Sequence, residues 1–317
     1  MFISNIVVFM QIGWREFIKG QFTKASKFHS VGIEIGVDDF HVSTLKKING
    51  KIEWVKQYSA SIDSWQETLK SYTKENGLNN TQCNVALSIS KYQLLAVDRP
   101  AVEDSELRQA LQWAVKSQLF SDDDFTIDYF DPPTAASNLK QLNVIAISTR
   151  DIMEIRDGIL KAGLALNVIG VEELATCNLL APSEDATIIL KQSEGGQLSL
   201  NIVKHNKLFF SRRLRGYENL SNFSPEEFKM SVVDNLSLEI QRSMDYFESQ
   251  LRQAPVKKVY VSLDTEHQDE LAELIKQMIS LPVESFIPNI LKNSDMPIVP
   301  SSFASLGAAI DDASLIA

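Results

Sequence analysis

The sequence predicts an α/β fold made of two similar halves, and three observations predict it. A run of three strands followed by a helix occurs twice, beginning at Val31 and again at Ala186. Laid on one another without a gap, the two runs match turn for turn: Val31 falls on Thr187, Gly36 on Gln192, Asn49-Gly50 on His205-Asn206, Ile52 on Leu208 and Trp54 on Phe210. Each half is thus a three-strand meander followed by helices, as an internal duplication would give.

The first half opens with a buried strand at 31–35, a tight turn at 36–39 and a second strand at 40–45. Asn49-Gly50 is a two-residue hairpin signal. A third strand follows at 52–58, with Ile52 and Trp54 inward and Glu53 and Lys56 outward. Residues 62–74 read as a helix with Ile62, Trp65 and Leu69 on one face, broken at 76–80. Strands are expected at 83–89 and 92–98, and Arg99-Pro100 ends that run.

An insert follows. Residues 103–118 place Leu107, Leu111, Ala114, Val115 and Leu119 at helical spacing. The acidic stretch 121–124 reads as a solvated loop. Strands at 125–130 and 142–148 flank Asp131-Pro132-Pro133-Thr134, a turn suited to a sheet edge. Residues from about 100 to 141 thus form a small subdomain of one helix and two strands. A helix at 151–162 is stopped by Gly163, a strand follows at 166–170 and a helix at 171–180.

The second half repeats the meander at 186–190, 197–203 and 208–213. Ser224-Pro225-Glu226-Glu227 is a capping box with proline at the first helical position. Val233, Leu236, Ile240, Met244, Phe247 and Leu251 then form one apolar stripe, closed by Pro255. A strand at 257–263, a helix at 266–279, a short strand at 283–286 and a final helix at 305–310 complete the chain.

Composition narrows the function classes. At 317 residues the chain suits two domains or one large two-lobed one. Its 44% hydrophobic and 23% charged residues lie in the globular range and argue against global disorder. A net charge of −10 disfavours nucleic acid and anionic lipid. Cys83 and Cys177 stand apart, as reduced core residues of a cytosolic protein do. His29, His41, His205 and His267 have no metal-ligand spacing. No Ser/His/Asp set, HExxH or Walker A motif is present, and Asp122-Asp123 lies in a loop. No catalytic or metal-binding residue is expected.

Residues 1–30 differ from the rest. Phe2, Ile3, Ile6, Val7, Val8 and Phe9 are followed by Arg15, Lys19, Lys24 and Lys27 against Glu16 alone. The order is wrong for a secretory signal, and the run is far short of the ~20 residues that span a bilayer. The segment reads either as a frayed tail, with Met10 as an alternative start, or as an amphipathic membrane-surface segment carrying Trp14, Phe17 and Phe22.

Two duplicated halves of mixed sheet and helix describe the actin-like, ribonuclease-H-like fold. Local sequences point further: Val31-Gly32-Ile33-Glu34-Ile35-Gly36; Ala101-Val102-Glu103-Asp104-Ser105-Glu106-Leu107 leading to Phe125-Thr126-Ile127-Asp128-Tyr129; Phe209-Phe210-Ser211-Arg212-Arg213; Glu239-Ile240-Gln241-Arg242-Ser243-Met244-Asp245-Tyr246; and Ala304-Ser305-Leu306-Gly307-Ala308. In order and spacing these make residues 31–310 similar to the PilM family of type IV pilus assembly proteins, most closely its MshI branch from mannose-sensitive haemagglutinin (MSHA) pili. The resemblance implies a cytoplasmic protein, peripheral at the inner membrane. It would dock on the inner-membrane platform by gripping the short cytoplasmic tail of a bitopic PilN-like partner, in a groove beside the inserted subdomain. Leu94, Pro100, Leu107 and Leu111 are the candidates for that groove, with ordinary core packing as the other account of each.

The resemblance also implies a nucleotide cleft, and the residues test it. An actin-like site holds phosphates with two facing Asp-x-Gly turns, whose backbone N–H groups meet phosphate and whose acids orient hydrated Mg²⁺. Here Glu34-Ile35-Gly36 keeps a carboxylate and the glycine. Asp38 and Asp39 follow where small hydroxyl residues are common, and His41 stands where relatives carry lysine. Such carboxylates repel a triphosphate unless they point to solvent or bind metal. In the second turn Glu34 maps to Leu190 and Gly36 to Gln192, so acid and glycine are both lost. Leu263-Asp264-Thr265-Glu266 lacks the glycine pair of an adenosine loop, and Gly195-Gly196 reads as a hairpin turn. Glu239 and Arg242 either face the cleft or form an exposed intrahelical pair.

The expectation is therefore a tail at 1–30, a first actin-like lobe at 31–180, a second at 181–304 and a C-terminal helix and tail at 305–317. The remnant nucleotide site comprises Glu34, Gly36, Asp38, Asp39, His41, Glu239 and Arg242. No cofactor is expected, with ATP and Mg²⁺ as the alternative. The function expected is a non-enzymatic scaffold binding a PilN-like tail and other platform proteins. Its alternative is an ATP-binding conformational switch with Glu34 as the Mg²⁺-orienting acid. A filament-forming protein has no support in the sequence.

Overall fold

The computed structural model describes residues 26–119, 124–133, 141–193, 196–293, 296–297 and 299–310. Most of the N-terminal tail, most of the acidic stretch at 121–124, Gly195 of the glycine pair and the last residues of the C-terminal tail lie outside the described residues.

The first lobe begins with β1 (Ser30–Ile35), β2 (Asp39–Ile48) and β3 (Lys51–Ser61), an antiparallel meander. Asn49 and Gly50 take φ of 51° and 85° at the β2–β3 turn, the left-handed pair that matches the twist of a two-residue hairpin. Helix α1 (Trp65–Asn76) leads to β4 (Gln82–Leu87), parallel to β1. The insert follows as β5 (Gln93–Asp98), α2 (Asp104–Lys116), β6 (Phe125–Phe130) and β7 (Gln141–Ser148). Helix α3 (Thr149–Lys161) then returns the chain to β8 (Ala165–Val171), beside β4, and α4 (Glu172–Cys177) carries it to the second lobe.

The second lobe repeats the plan. It comprises β9 (Thr187–Lys191), β10 (Leu198–Lys204), β11 (Lys207–Leu214), α5 (Pro225–Glu227), α6 (Val233–Ser249), β12 (Lys258–Ser262), α7 (Gln268–Ile279) and β13 (Val283–Ser285). The central orders are the same: β3-β2-β1-β4-β8 in one sheet and β11-β10-β9-β12-β13 in the other. In both, the first strand has an antiparallel neighbour on one side and a parallel one on the other. Strand β14 (Leu291–Lys292), absent from the expected elements, adds itself to β3, so the chain crosses back to the first lobe. Helix α8 (Phe303–Ala309) ends the described chain.

The duplication is exact at the second turn and slips at the first. His205 and Asn206 also take left-handed φ, 51° and 57°. Asn206 is held there by its side-chain amide, which donates to the carbonyls of Cys177 and Leu180 at 3.2 and 2.7 Å. In the first hairpin, 36–39 separate the paired Ile35 and Phe40. In the second, the longer stretch 192–198 separates the paired Lys191 and Ser199. What the loop gains, the following strand arm loses, so the second turn stays in step.

Packing follows the alternation of the strands. Val31, Ile33 and Ile35 face the first lobe's core with Phe40 and Val42; Ile188 and Leu190 face the second lobe's core with Leu200 and Ile202. The opposite faces meet in an apolar seam between the lobes, where Leu45, Ile52 and Trp54 pack with Ile189, Val203, Leu208, Phe286 and Phe303. The long helix is continuous from 225 to 249 through a π-helical turn at Phe228–Val232. Its capping box is formed, with Ser224 N–H donating to Glu227 Oε2 at 2.8 Å.

Helices α4 and α8 close the two lobes and cross one another. A Cβ on Gly307 would lie 2.1 Å from the Ala175 carbonyl oxygen, and one on Gly32 would lie 1.8 Å from that of Ser305. Only glycine permits these approaches. Side chains of the first lobe and of the segment after α4 then fasten α8. Ser30 Oγ donates to Ala309 O at 2.6 Å, Asn84 Nδ2 to Ala308 O at 2.9 Å, and Asn178 Nδ2 to both Gly307 O and Ile310 O at 3.0 Å. Among the described residues no helix is long and apolar enough to cross a membrane.

Candidate functional site: the seam between the lobes

Among the described residues, the buried charged side chains gather in the seam. On β1, Gly32 and Glu34 turn away from the first core, Gly32 onto α8 and Glu34 toward Lys191 and Glu172. On β9, Ile189 and Lys191 point back. Glu34 and Lys191 are 2% and 3% exposed. Helix α4, which joins the lobes, adds Glu172 and Glu173, both buried.

Lys191 Nζ donates to Glu172 Oε1 at 3.3 Å. The other Glu172 oxygen accepts from the Ile89 N–H at 3.2 Å, tying the pair to the first lobe. Burial works against the Lys191 charge, but Glu172, Glu34 and Glu173 together overcome it and raise its pKa. Glu34 is raised to about 7, first by burial, with Lys191 pulling it down and Glu172 pushing it up. Its Oε2 is buried without a hydrogen-bond partner. A second link lies alongside. The Tyr92 hydroxyl donates to Glu173 Oε2. The Arg213 guanidinium, from the second lobe, stacks 5.0 Å over the Tyr92 ring and donates to the Tyr92 carbonyl at 3.1 Å. Glu173 is raised to about 7 as well, by burial and then by Glu172.

The other expected nucleotide residues scatter around this cluster. Gly36 has a turn-based account: its N–H donates to Asp39 O at 3.0 Å, and a Cβ there would lie 2.6 Å from the same oxygen. Asp38 is exposed and Asp39 is half-buried at the start of β2. His41, opposite Glu34 in the β1–β2 ladder, bonds Ser59 Oγ through Nδ1 at 2.7 Å. Burial is the largest cause that lowers its pKa. On α6, Arg242 pairs with Glu239 at 2.9 Å, and Arg212 of β11 takes the other Glu239 oxygen at 2.8 Å. Gln192 bends back into its own lobe, donating to the carbonyls of Tyr217 and Gly196 at 2.6 and 3.0 Å. Among the described residues no three His, Cys, Asp or Glu side chains are placed to hold a metal ion.

Lys191 is the residue that the gapless comparison passed over. That comparison set Leu190 against Glu34, but a strand turns alternate residues to opposite faces. Leu190 lies in the core, and the seam-facing side chain is its neighbour. A lysine ending an otherwise apolar strand, and a paired Glu172-Glu173 opening a helix, were the available signals.

The four groove candidates do not share one surface. Leu107 and Leu111 are fully buried between α2 and the three-stranded sheet β5-β7-β6, where they pack on Val97, Ile127, Leu142 and Val144. The reading of these two as groove lining is replaced by ordinary core packing. Leu94 on β5 and Pro100 just beyond it are half-buried. Of the two sheet edges, β6 is covered by α2: Arg108 donates to the Ile127 carbonyl and Gln112 to that of Phe125. Strand β5 is the opposite edge.

No family model matches the chain, and no curated protein matches it by sequence. Solved structures do. One is a chain from a PilM-PilN type IV pilus biogenesis complex, at 15% identity over 89% of this chain and 98% of that one, with a TM-score of 0.64. Another is the cytoplasmic domain of EpsL, an inner membrane component of the type II secretion system of Vibrio cholerae, at 11% identity over 88% and 93% with a TM-score of 0.49. A third is a Bacteroides thetaiotaomicron protein with actin-like ATPase fold, at 10% identity over 86% and 94% with a TM-score of 0.48. With the matching strand orders of the two sheets, this likeness gives the fold: a duplicated, two-lobed actin-like α/β architecture with a small subdomain inserted in the first lobe.

Proposed function

We propose that this chain is a non-enzymatic, PilM-like scaffold of type IV pilus assembly, of the MshI branch, that grips the cytoplasmic tail of a PilN-like inner-membrane protein. The observation that carries the non-enzymatic part is the buried Lys191–Glu172 pair in the seam. An actin-like ATPase keeps this seam for phosphates and a hydrated metal ion. Here an ammonium of the chain itself answers the acids, Gln192 is turned away from the seam, and burial raises the Glu34 carboxyl to about 7. These residues do not fit Mg-ATP. Support for the partner comes from the likeness to a chain found with PilN and from β5, a sheet edge that carries Leu94 and ends shortly before Pro100. An extended tail there gains main-chain hydrogen bonds as an added strand.

Two measurements test it. Melting with and without millimolar Mg-ATP is expected to give the same midpoint; a rise of several degrees that vanishes in Glu34→Ala would establish the ATP-switch reading instead. Fluorescent peptides of the cytoplasmic tail of the neighbouring bitopic pilus protein are expected to bind at micromolar strength. Failure of every such peptide overturns the partner.

A further inference from the structure

The seam's charges do not balance unless a proton joins them. Glu34, Glu172 and Glu173 bring three negative charges; Lys191 and Arg213 bring two positive ones. Burial lowers the pKa of His41. A buried net charge is costly, and the usual escape is protonation. The hydrogen bonds single out where the proton goes. Glu172 has a donor on each oxygen. Glu34 Oε2 and Glu173 Oε1 are buried with none.

We propose that the seam is a proton-linked latch: with a proton on Glu34 or Glu173 the lobes close on Lys191, and loss of that proton loosens α4 from β9. The groups facing Glu34 are Lys191 on β9, Glu172 on α4 and His41 on β2. Helix α8 and strand β4, which also pack on β1, bring no charged side chain there. Glu173 faces Tyr92, Arg213 of β11, Lys191 of β9, and Glu172 and the Cys177 thiol on its own helix. Both carboxyls are raised from 4.5 to about 7, burial being the largest cause. A loosened seam returns them toward their ordinary value. The closed form therefore keeps a proton that the loosened form gives up, and loosening grows as pH rises from about 4.5 to about 7, then levels off. This device concerns the seam alone and stands whether or not a tail binds at β5.

Hydrogen–deuterium exchange of the whole chain between pH 5 and pH 8, with rates corrected for intrinsic pH dependence, tests it. In the wild type, protection of α4 and β9 is expected to fall up to about tenfold per pH unit per linked proton between roughly 5 and 7, and to stay level above. Glu34→Gln, a neutral isostere, should lower that slope by one proton while leaving helix α7 unchanged. Glu173→Gln should do the same, and it carries the test if the first variant does not fold. A flat wild-type profile overturns the latch. So do variant profiles that superimpose on the wild type. Tail-peptide affinity is measured separately at one pH, so loss of one claim leaves the other standing.

Discussion

Lys191 Nζ lies 3.3 Å from Glu172 Oε1 with both side chains nearly sealed from water, 3% and 4% exposed. The pair joins a strand of one lobe to the helix that ends the other. Removing one partner of a buried pair strands the other's charge, so Lys191→Met is expected to cost about 3–5 kcal/mol in urea unfolding. Adding Glu172→Gln should recover most of that loss, because the penalty lies in the orphaned carboxylate. Equal destabilisation of the single and double variants would show that packing, and not charge, is responsible.

The pH dependence of global stability has a definite sign. Glu34 and Glu173 are raised in the fold from 4.5 to about 7. Their contribution is fully present below pH 4.5 and is lost as pH rises through 7. Each is worth about 3 kcal/mol at most. Glu34→Gln should therefore be more stable relative to the wild type at pH 8 than at pH 5, read from urea midpoints at the two values.

Gly307→Ala should be among the most damaging one-carbon changes in the chain. The added carbon meets backbone, 2.1 Å from the Ala175 carbonyl oxygen, so α4 and α8 must separate. A loss of about 1–3 kcal/mol or more is expected. Gly50→Ala meets nothing within 4 Å but must hold φ near 85°, a backbone cost of about 1 kcal/mol. Thermal melting of the two variants should rank them in that order.

Leu111→Ala separates core from groove. Truncating a fully buried leucine costs about 2–5 kcal/mol. Trp113, on the same helix but 69% exposed, should change stability by no more than about 0.5 kcal/mol when replaced by serine. A Leu111 variant as stable as the wild type would return that residue to a binding surface.

The two-lobed plan was legible because it rests on repetition. Two left-handed turns, Asn49-Gly50 and His205-Asn206, mark it in any sequence that preserves them. The helix caps at Ser224 and Gly163 were legible for the same local reason. The seam was less so. Glu34 was visible as an acid in an apolar strand, but its answering group depended on which face of β9 looks outward. A one-residue parity error hides Lys191 behind Leu190. Strand β14 could not be read at all: two residues carry no periodicity, and their pairing with β3 is decided by tertiary position. Leu107 and Leu111 fit helical spacing equally well as core or as groove, and only the sheet beneath them decides.

Helix α8 has one more consequence. The bond from Ser30 to Ala309 spans 279 positions, and β1, the central strand of the first lobe, packs Gly32 directly on α8. Contacts so distant in sequence form late and slow the search for the native state. On the ribosome, the first lobe cannot finish assembling until α8, about 270 residues after β1, has emerged. The two halves are repeats in architecture but not in time: the earlier one waits, with its central strand uncovered, for α8 to follow the whole second lobe.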